Sequence, residues 1–243
     1  AFLYSRSQFY PSKVSSLLLL QPYAFDIASG NIFWVLSQGG TLHLEETSLV
    51  SDPFRLHQRM CEVQVSHLVS LPLLYRPLLN LLDEDVNASL KTVILGGEAL
   101  PPDLANSHYK KIPNVNLINE YGPTETTIMC TAYAATKDQN LDAVPIGKAI
   151  GLSQIFLLDS TLSLSLKNTM SEIYIGGKQV SRGYINQASL TAEKFIPNHF
   201  SNQLGERLYK TGDFARWSND GYLQYKGRND NQVKIRGFRI ELN

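Results

Sequence analysis

The sequence predicts an α/β protein, a doubly wound parallel sheet followed by a smaller β-rich, barrel-like unit. Three observations carry this. From residue 14 to about 120, short apolar runs alternate with longer amphipathic stretches, the rhythm of parallel strands joined through helices. After about residue 140 the apolar runs shorten and Gly, Asn and Asp turns separate them, as in small β units. Of the 243 residues, 43% are hydrophobic, enough to bury a core in one large or two small domains. The expected division is 1–140 for the α/β part, 141–226 for the β part, and 227–243 for a polar, basic tail.

The elements follow in order. Strands are expected at Ser16–Leu20, Thr41–Leu44, Val65–Val69, Thr92–Leu95 and Asn116–Ile118. Between them, helical patterns cover Ile27–Leu36, Pro53–Glu62, Leu73–Leu82 and Pro101–Lys110, with Asp52 and Pro101 as start signals. The first apolar run superficially resembles a signal peptide, with Arg6 and Lys13 ahead of it. Ser15-Ser16 interrupts it and Gln21-Pro22 ends it, so it is too short for that role and reads as a buried strand. Downstream strands are expected at Gln154–Leu158, Glu172–Ile175 and Tyr222–Tyr225. The chain opens at Ala1 without Met and stops at Asn243 straight after a basic motif. It is read as a piece cut from both sides.

Composition excludes several functions. The 22 Lys and Arg balance 22 Asp and Glu, so the overall charge advertises neither a nucleic-acid nor a membrane surface. Cys61 and Cys130 stand in no CxxC or Cys/His cluster; a disulfide framework or structural zinc is not expected, and a reducing cytoplasm fits. No apolar run approaches the roughly 20 residues that span a bilayer.

In an open parallel sheet, ligands gather at the carboxyl ends of strands. The most specific post-strand segment is Asn119-Glu120-Tyr121-Gly122-Pro123-Thr124-Glu125-Thr126-Thr127. Gly-Pro turns the chain there. It then exposes an aromatic face, several hydroxyls and a carboxylate, which suit a base, a phosphate and Mg²⁺. The plainer reading is a hydroxyl-rich turn with a helix cap.

Tyr121-Gly122-Pro123-Thr124-Glu125 is similar to the core motif of the adenylate-forming superfamily, and other motifs accompany it in family order. Leu95-Gly96-Gly97-Glu98-Ala99-Leu100 resembles its GGE loop. Ile173–Gly177 with Ser181-Arg182-Gly183-Tyr184 resembles its LxIGG…ARGY stretch, and Tyr209–Asp213 its YxTGD. Gly227–Glu241 matches GRxDxQVKIRGxRIE. The chain therefore resembles an internal part of a nonribosomal peptide synthetase adenylation domain.

That resemblance implies ATP and Mg²⁺ as reactant and cofactor, and activation of an amino acid as its acyl-adenylate. The acyl group would then pass to phosphopantetheine on a partner carrier domain, with peptidyl carrier and condensation domains as neighbours. Tyr121 would stack on adenine, the Gly96-Gly97 and Gly122 backbone would line the nucleotide, and Thr124 would bond the α-phosphate. Glu125 would bind Mg²⁺, Asp213 the two ribose hydroxyls, and Arg228 would stand near ribose and phosphates; the plainer reading of Asp213 and Arg228 is a surface ion pair. Asp230 resembles the hinge of a C-terminal lid. The family's phosphate loop would precede Ala1, and the lid with its lysine would follow Asn243, so this piece alone is not expected to be competent.

Phe25-Asp26 follows the first strand where peptide-synthetase domains carry Phe-Asp, and Asp26 would pair with the substrate's α-ammonium. A carboxylate in an apolar pocket calls for such a cation; the alternative is a helix N-cap. The other pocket positions are Ile27, Gly30, Ser70, Ile94, Gly96, Glu120, Ile128 and Met129. Gly30 and Gly96 suggest room for a side chain larger than Ala. Ser70 and Glu120 offer acceptors for a hydroxyl or cationic side chain, or Glu120 points at the adenine rim. Two rivals stand beside this reading: a stand-alone acyl- or aryl-CoA ligase, and a degenerate, non-catalytic adenylation domain.

Overall fold

The computed structural model describes residues 1–82, 84–137, 143–228, 232–235 and 238–241. The expected hinge residue, Asp230, lies outside them. An unpredicted helix, α1 (Phe2–Phe9), comes first. No side chain caps it, and the face it buries is mixed, Phe2 beside Ser5 and Arg6, so it lacks the apolar periodicity that marks a helix.

The first half then alternates as expected: β1 (Ser16–Leu19), α2 (Asp26–Ser37), β2 (Thr41–Leu44), α3 (Pro53–Glu62), β3 (His67–Ser70), α4 (Pro72–Leu81), α5 (Glu84–Ser89), β4 (Thr92–Gly96), α6 (Pro102–Lys111) and β5 (Asn116–Tyr121). Asp52 caps α3, its carboxylate accepting from the amides of Phe54 and Arg55, and Pro53 takes the first helical position, where its missing N–H costs nothing. The third strand starts at His67 rather than Val65. The turn that ends α3 extends through Gln64, whose φ is 49°, and the Val65 amide still bonds Met60 of that helix. The fifth strand runs on past Ile118 to Tyr121, because it pairs through Glu120 with Gly96 on one side. On its other side it pairs with β6 (Thr131–Ala134).

With β7 (Lys148–Ala149) the sheet has seven strands in the order β2-β1-β3-β4-β5-β6-β7. The first five are parallel, β6 runs antiparallel to β5, and β7 runs antiparallel to β6. The last strand falls beyond the division expected near residue 140. Strand alternation splits the core into two layers. Leu18, Leu68, Val93, Leu95 and Leu117 face a layer containing Leu56, Met60, Tyr75, Leu78, Val86 and Leu104, from α3 to α6. Leu17, Val69, Ile94 and Ile118 face Phe2, Trp34 and Val35 of α1 and α2.

The second unit is an antiparallel sheet of β8 (Ser153–Leu158), β9 (Ser171–Gly177), β10 (Phe195–Pro197), β11 (Arg207–Trp217) and β12 (Leu223–Arg228), with the short helix α7 (Ala188–Lys194) ahead of β10. Its order is β10-β11-β9-β8, with β12 also on β11. A final hairpin pairs β13 (Gln232–Ile235) with β14 (Phe238–Glu241). A third core joins the two sheets: Tyr121 of the first, with Cys130 just before β6, packs with Leu157, Ile173, Ile175, Ala215 and Leu223 of the second. Among the described residues no helix is long and apolar enough to cross a membrane.

Candidate nucleotide and amino-acid site

Strand order reverses between β1 and β3, and that is where an open α/β sheet binds its ligands. Asp26 follows β1, Ser70 ends β3, Gly96 ends β4 and Tyr121 ends β5. These four expected site residues therefore lie at or beyond a strand's carboxyl end.

The loop after β5 is tightly built. Thr124–Thr126 form a 3-10 turn. Thr127 and Ile128 follow with φ of 61° and 76°, and the Met129 amide donates to the Thr127 carbonyl at 3.0 Å. That is a three-residue turn of the rare positive-φ kind. Left-handed backbone at a β-branched residue is an outlier, costing on the order of 1–3 kcal/mol, and persists only where surroundings over-determine it. The chain then folds back over Gly122. A Cβ there would lie 2.5 Å from both the Ile128 carbonyl oxygen and Met129 Cα, so only glycine fits. Glu125 is buried, and its Oε1 accepts from the Tyr184 hydroxyl at 2.7 Å. Its carbonyl accepts from the Ser181 amide at 2.8 Å. Thr124 is exposed.

The second unit adds Asp213. Register between β11 and β9 shifts from Lys210 to Phe214, and Gly212 has a φ of 76°. The Thr211 hydroxyl accepts from the Asp213 amide at 3.0 Å. Asp213 Oδ2 accepts from the Tyr121 hydroxyl at 2.7 Å. Its Oδ1 accepts from Arg228 at 2.8 Å and from Tyr225 at 3.3 Å. Asp213 and Arg228 are cross-strand neighbours with side chains only 4% and 11% exposed, so this is not a loose surface pair. Burial, reinforced by the Asp213 charge, pushes the Tyr121 phenol well above its usual range; it stays a neutral donor.

Gly97, Glu120, Tyr121, Gly122, Tyr225 and Arg228 line a cavity of about 460 Å³ between the two units, within the range of small-molecule sites. Gly97 has a φ of 80°. A larger open groove of about 840 Å³ lies along Leu158–Tyr174. It contains none of the expected site residues.

Asp26 opens α2, with Phe25 as the cap residue. Its Oδ1 accepts from the Ile27 amide at 2.7 Å, while Oδ2 is buried without a hydrogen-bond partner. Ile27, Ile94, Ile128 and Met129 belong to one apolar cluster with Phe2 and Trp34. Ser70, the last residue of β3, is buried, its hydroxyl 3.4 Å from the Leu71 carbonyl.

Two expectations about this pocket need correction. Gly30 does not leave free volume: a Cβ there would lie 2.5 Å from Ile128 Cδ1 and 2.8 Å from the Phe2 ring. At Gly96 it would lie 2.9 Å from the Glu120 carbonyl. Both glycines serve close packing. The Glu120 carboxylate is also already engaged. Arg6 donates to Oε2 at 2.9 Å and the Tyr10 hydroxyl donates to Oε1, and the Arg6 guanidinium lies 4.2 Å from the Trp34 ring centre. Glu120 is thus half of a buried ion pair whose partner comes from the unpredicted helix.

Sequence reasoning missed Arg6, Tyr10, Tyr225 and Gln179. Tyr184 stood inside a quoted motif without a role. Gln179 carried one faint signal, a lone amide between a glycine pair and an apolar position.

A family model for AMP-binding enzyme matches residues 3–185. The chain belongs to that family. It is 40% identical over 220 residues to gramicidin S synthase 2 of Brevibacillus brevis, covering 89% of this chain and 5% of that protein. To tyrocidine synthase 3 of Brevibacillus parabrevis it is 37% identical over 220 residues, 90% of this chain and 3% of that one. The chain thus spans a small fraction of these relatives. Among solved structures it resembles PA1221, a nonribosomal peptide synthetase protein containing adenylation and carrier domains, with a TM-score of 0.85 and 30% identity over all of this chain and 48% of the other. It also resembles the Vibrio cholerae adenylation domain AlmE bound to glycyl-adenosine-5'-phosphate, with a TM-score of 0.86 and 26% identity, covering 99% of this chain and 45% of that one.

Proposed function

We propose that this AMP-binding chain is the core of an amino-acid adenylation domain in a nonribosomal peptide synthetase. The observation that carries the reading is the cavity where Gly97, Tyr121, Gly122 and Arg228 meet, with Asp213 held by Tyr121 and Arg228 at its edge. Tyr121 offers a ring face to adenine. Each carboxylate oxygen can accept twice; Oδ1 already accepts from Arg228 and Tyr225 and Oδ2 from Tyr121, so Asp213 meets a ribose hydroxyl through the lone pair left on Oδ2.

The reaction needs no general base. The amino acid's carboxylate is ionised at neutral pH and attacks the α-phosphorus of ATP, and pyrophosphate leaves. Positioning and charge neutralisation supply the acceleration. Thr124, exposed on the loop, offers a hydroxyl to the α-phosphate. Arg228 supplies a fixed cation nearby. The described residues include no group of three or more His, Cys, Asp or Glu able to hold a metal. A single buried carboxylate, Glu125, fits Mg²⁺ that arrives on the nucleotide and keeps its other ligands as phosphate and water; bound there, it would neutralise the departing pyrophosphate.

Asp26 supports an amino acid over an acyl or aryl substrate, because its buried, unpartnered Oδ2 suits an ammonium group. Asp230 is the hinge of this reading, and carrier and condensation domains are the partners, the acyl group passing to a phosphopantetheine thiol. The test is amino-acid-dependent exchange of labelled pyrophosphate into ATP by the whole protein. Exchange with fatty or aryl acids and with no amino acid would overturn the proposal.

A further inference from the structure

Gln179 is only 2% exposed and bonds to two other segments of the chain. Its side-chain amide donates to the Met129 carbonyl at 2.7 Å and the Thr126 carbonyl at 3.3 Å. Its Oε1 accepts from the Ser5 hydroxyl at 2.8 Å, and its own carbonyl accepts from the Thr127 hydroxyl at 2.7 Å. These contacts bracket Thr127 and Ile128, the two left-handed residues. Such backbone has to be imposed from outside, and Gln179 holds both of its flanks. Two residues on, Ser181 bonds the Glu125 carbonyl, and Tyr184 bonds its carboxylate. One connector of the second unit therefore grips the whole loop, from Glu125 to Met129.

We infer that Gln179 is a positioning residue for adenylation: it fixes the loop so that Thr124 and Glu125 stand at the phosphate end while Ile128 and Met129 stand at the amino-acid end. The inference rests on the function proposed above. Only a primary amide meets this site, because it provides two N–H donors for two carbonyls and an acceptor for Ser5. A glutamate there turns two donors into lone pairs facing carbonyl oxygens. A leucine fills the space and bonds nothing.

The test compares Gln179→Glu, Gln179→Leu and Ser5→Ala in the whole protein, by pyrophosphate exchange, adenosine titration and amide hydrogen exchange across residues 124–130. For both Gln179 variants, kcat is expected to fall about tenfold or more and the amino-acid KM to rise. Affinity for adenosine, which lacks the α-phosphate that Thr124 meets and is anchored at Tyr121 and Asp213, is expected to change less than about twofold. Loop amides are expected to exchange faster, with Ser5→Ala showing the same pattern in weaker form. Folded Gln179 variants with unchanged kcat and loop exchange overturn the inference. So does a parallel fall of kcat and adenosine affinity, which marks general destabilisation. If the Gln179 variants do not fold, Ser5→Ala and Thr127→Val decide, and unaltered loop exchange in both overturns it. A wild-type protein without amino-acid-dependent exchange removes the proposed function, while the hydrogen-exchange comparison still judges whether Gln179 holds the loop.

Discussion

The Tyr121 hydroxyl donates to Asp213 Oδ2 at 2.7 Å across 92 residues of sequence. This bond ties the last residue of β5 to the middle of β11, and so joins the two units at the cavity. Tyr121→Phe keeps the ring and removes the donor. Leaving a buried carboxylate oxygen short of one bond costs about 1–3 kcal/mol, read as a lower urea midpoint. AMP should bind about fivefold or more weakly, and Tyr121→Ala, which also loses the stacking face, weaker still. Unchanged AMP affinity in Tyr121→Phe would separate this bond from nucleotide binding.

Arg6 and Glu120 form an ion pair with side chains 0% and 6% exposed. Arg6→Met leaves a carboxylate buried with Tyr10 as its remaining donor, and should cost about 3–5 kcal/mol. Adding Glu120→Gln removes the stranded charge and should recover part of the loss. The measurement is a double-mutant cycle by urea unfolding. Additive losses would mean the two side chains do not depend on each other.

Asp26→Ala should damage activation of the amino acid and spare binding of the matching des-amino acid, because only the former strands an ammonium. The expected difference is about 3–5 kcal/mol, measured by comparing the loss of amino-acid-dependent exchange with the loss of inhibition by the des-amino acid. Equal losses on both ligands would assign Asp26 to the start of α2 instead.

Two buried histidines set an acid limit. His67 is pushed down to about 4, chiefly by burial and then by the Arg6 and Lys91 charges. Burial likewise pushes His108 down to about 4. His108 donates from Nε2 to the Val115 carbonyl at 2.8 Å and accepts from the Tyr75 hydroxyl at Nδ1 at 2.6 Å, which uses both nitrogens of the neutral ring. The unfolded chain binds these protons near pH 6.5 and the folded chain does not. Their contribution is therefore present above pH 6.5 and is lost as the pH falls towards 4, by roughly 3 kcal/mol for each ring. Urea midpoints from pH 7 to 4 should fall accordingly. Replacing His108 with Gln should flatten part of that slope.

The alternation of apolar runs, the Asp52 cap and the order of the motifs were legible in the sequence, because each is a local pattern. A strand's period, a cap's side chain and a Gly-Pro turn act within a few residues. Hence α3 falls where the sequence puts it, and Asp26, Ser70, Gly96 and Tyr121 stand at or beyond strand ends. Pocket shape was not legible. Gly30 promised volume, yet Phe2 and Ile128 fill it, since packing is settled by neighbours remote in sequence. Glu120 promised a free acceptor, yet Arg6 and Tyr10 occupy it. Helix α1 had no periodic face to reveal it, and Gln179 had next to no pattern around it. Local chemistry wrote the alternation of elements and set several candidate residues at strand ends. Tertiary contacts over long separations decided which polar groups are already bonded to one another and which are left for a ligand, because a buried donor or acceptor has to find its partner wherever the fold brings one.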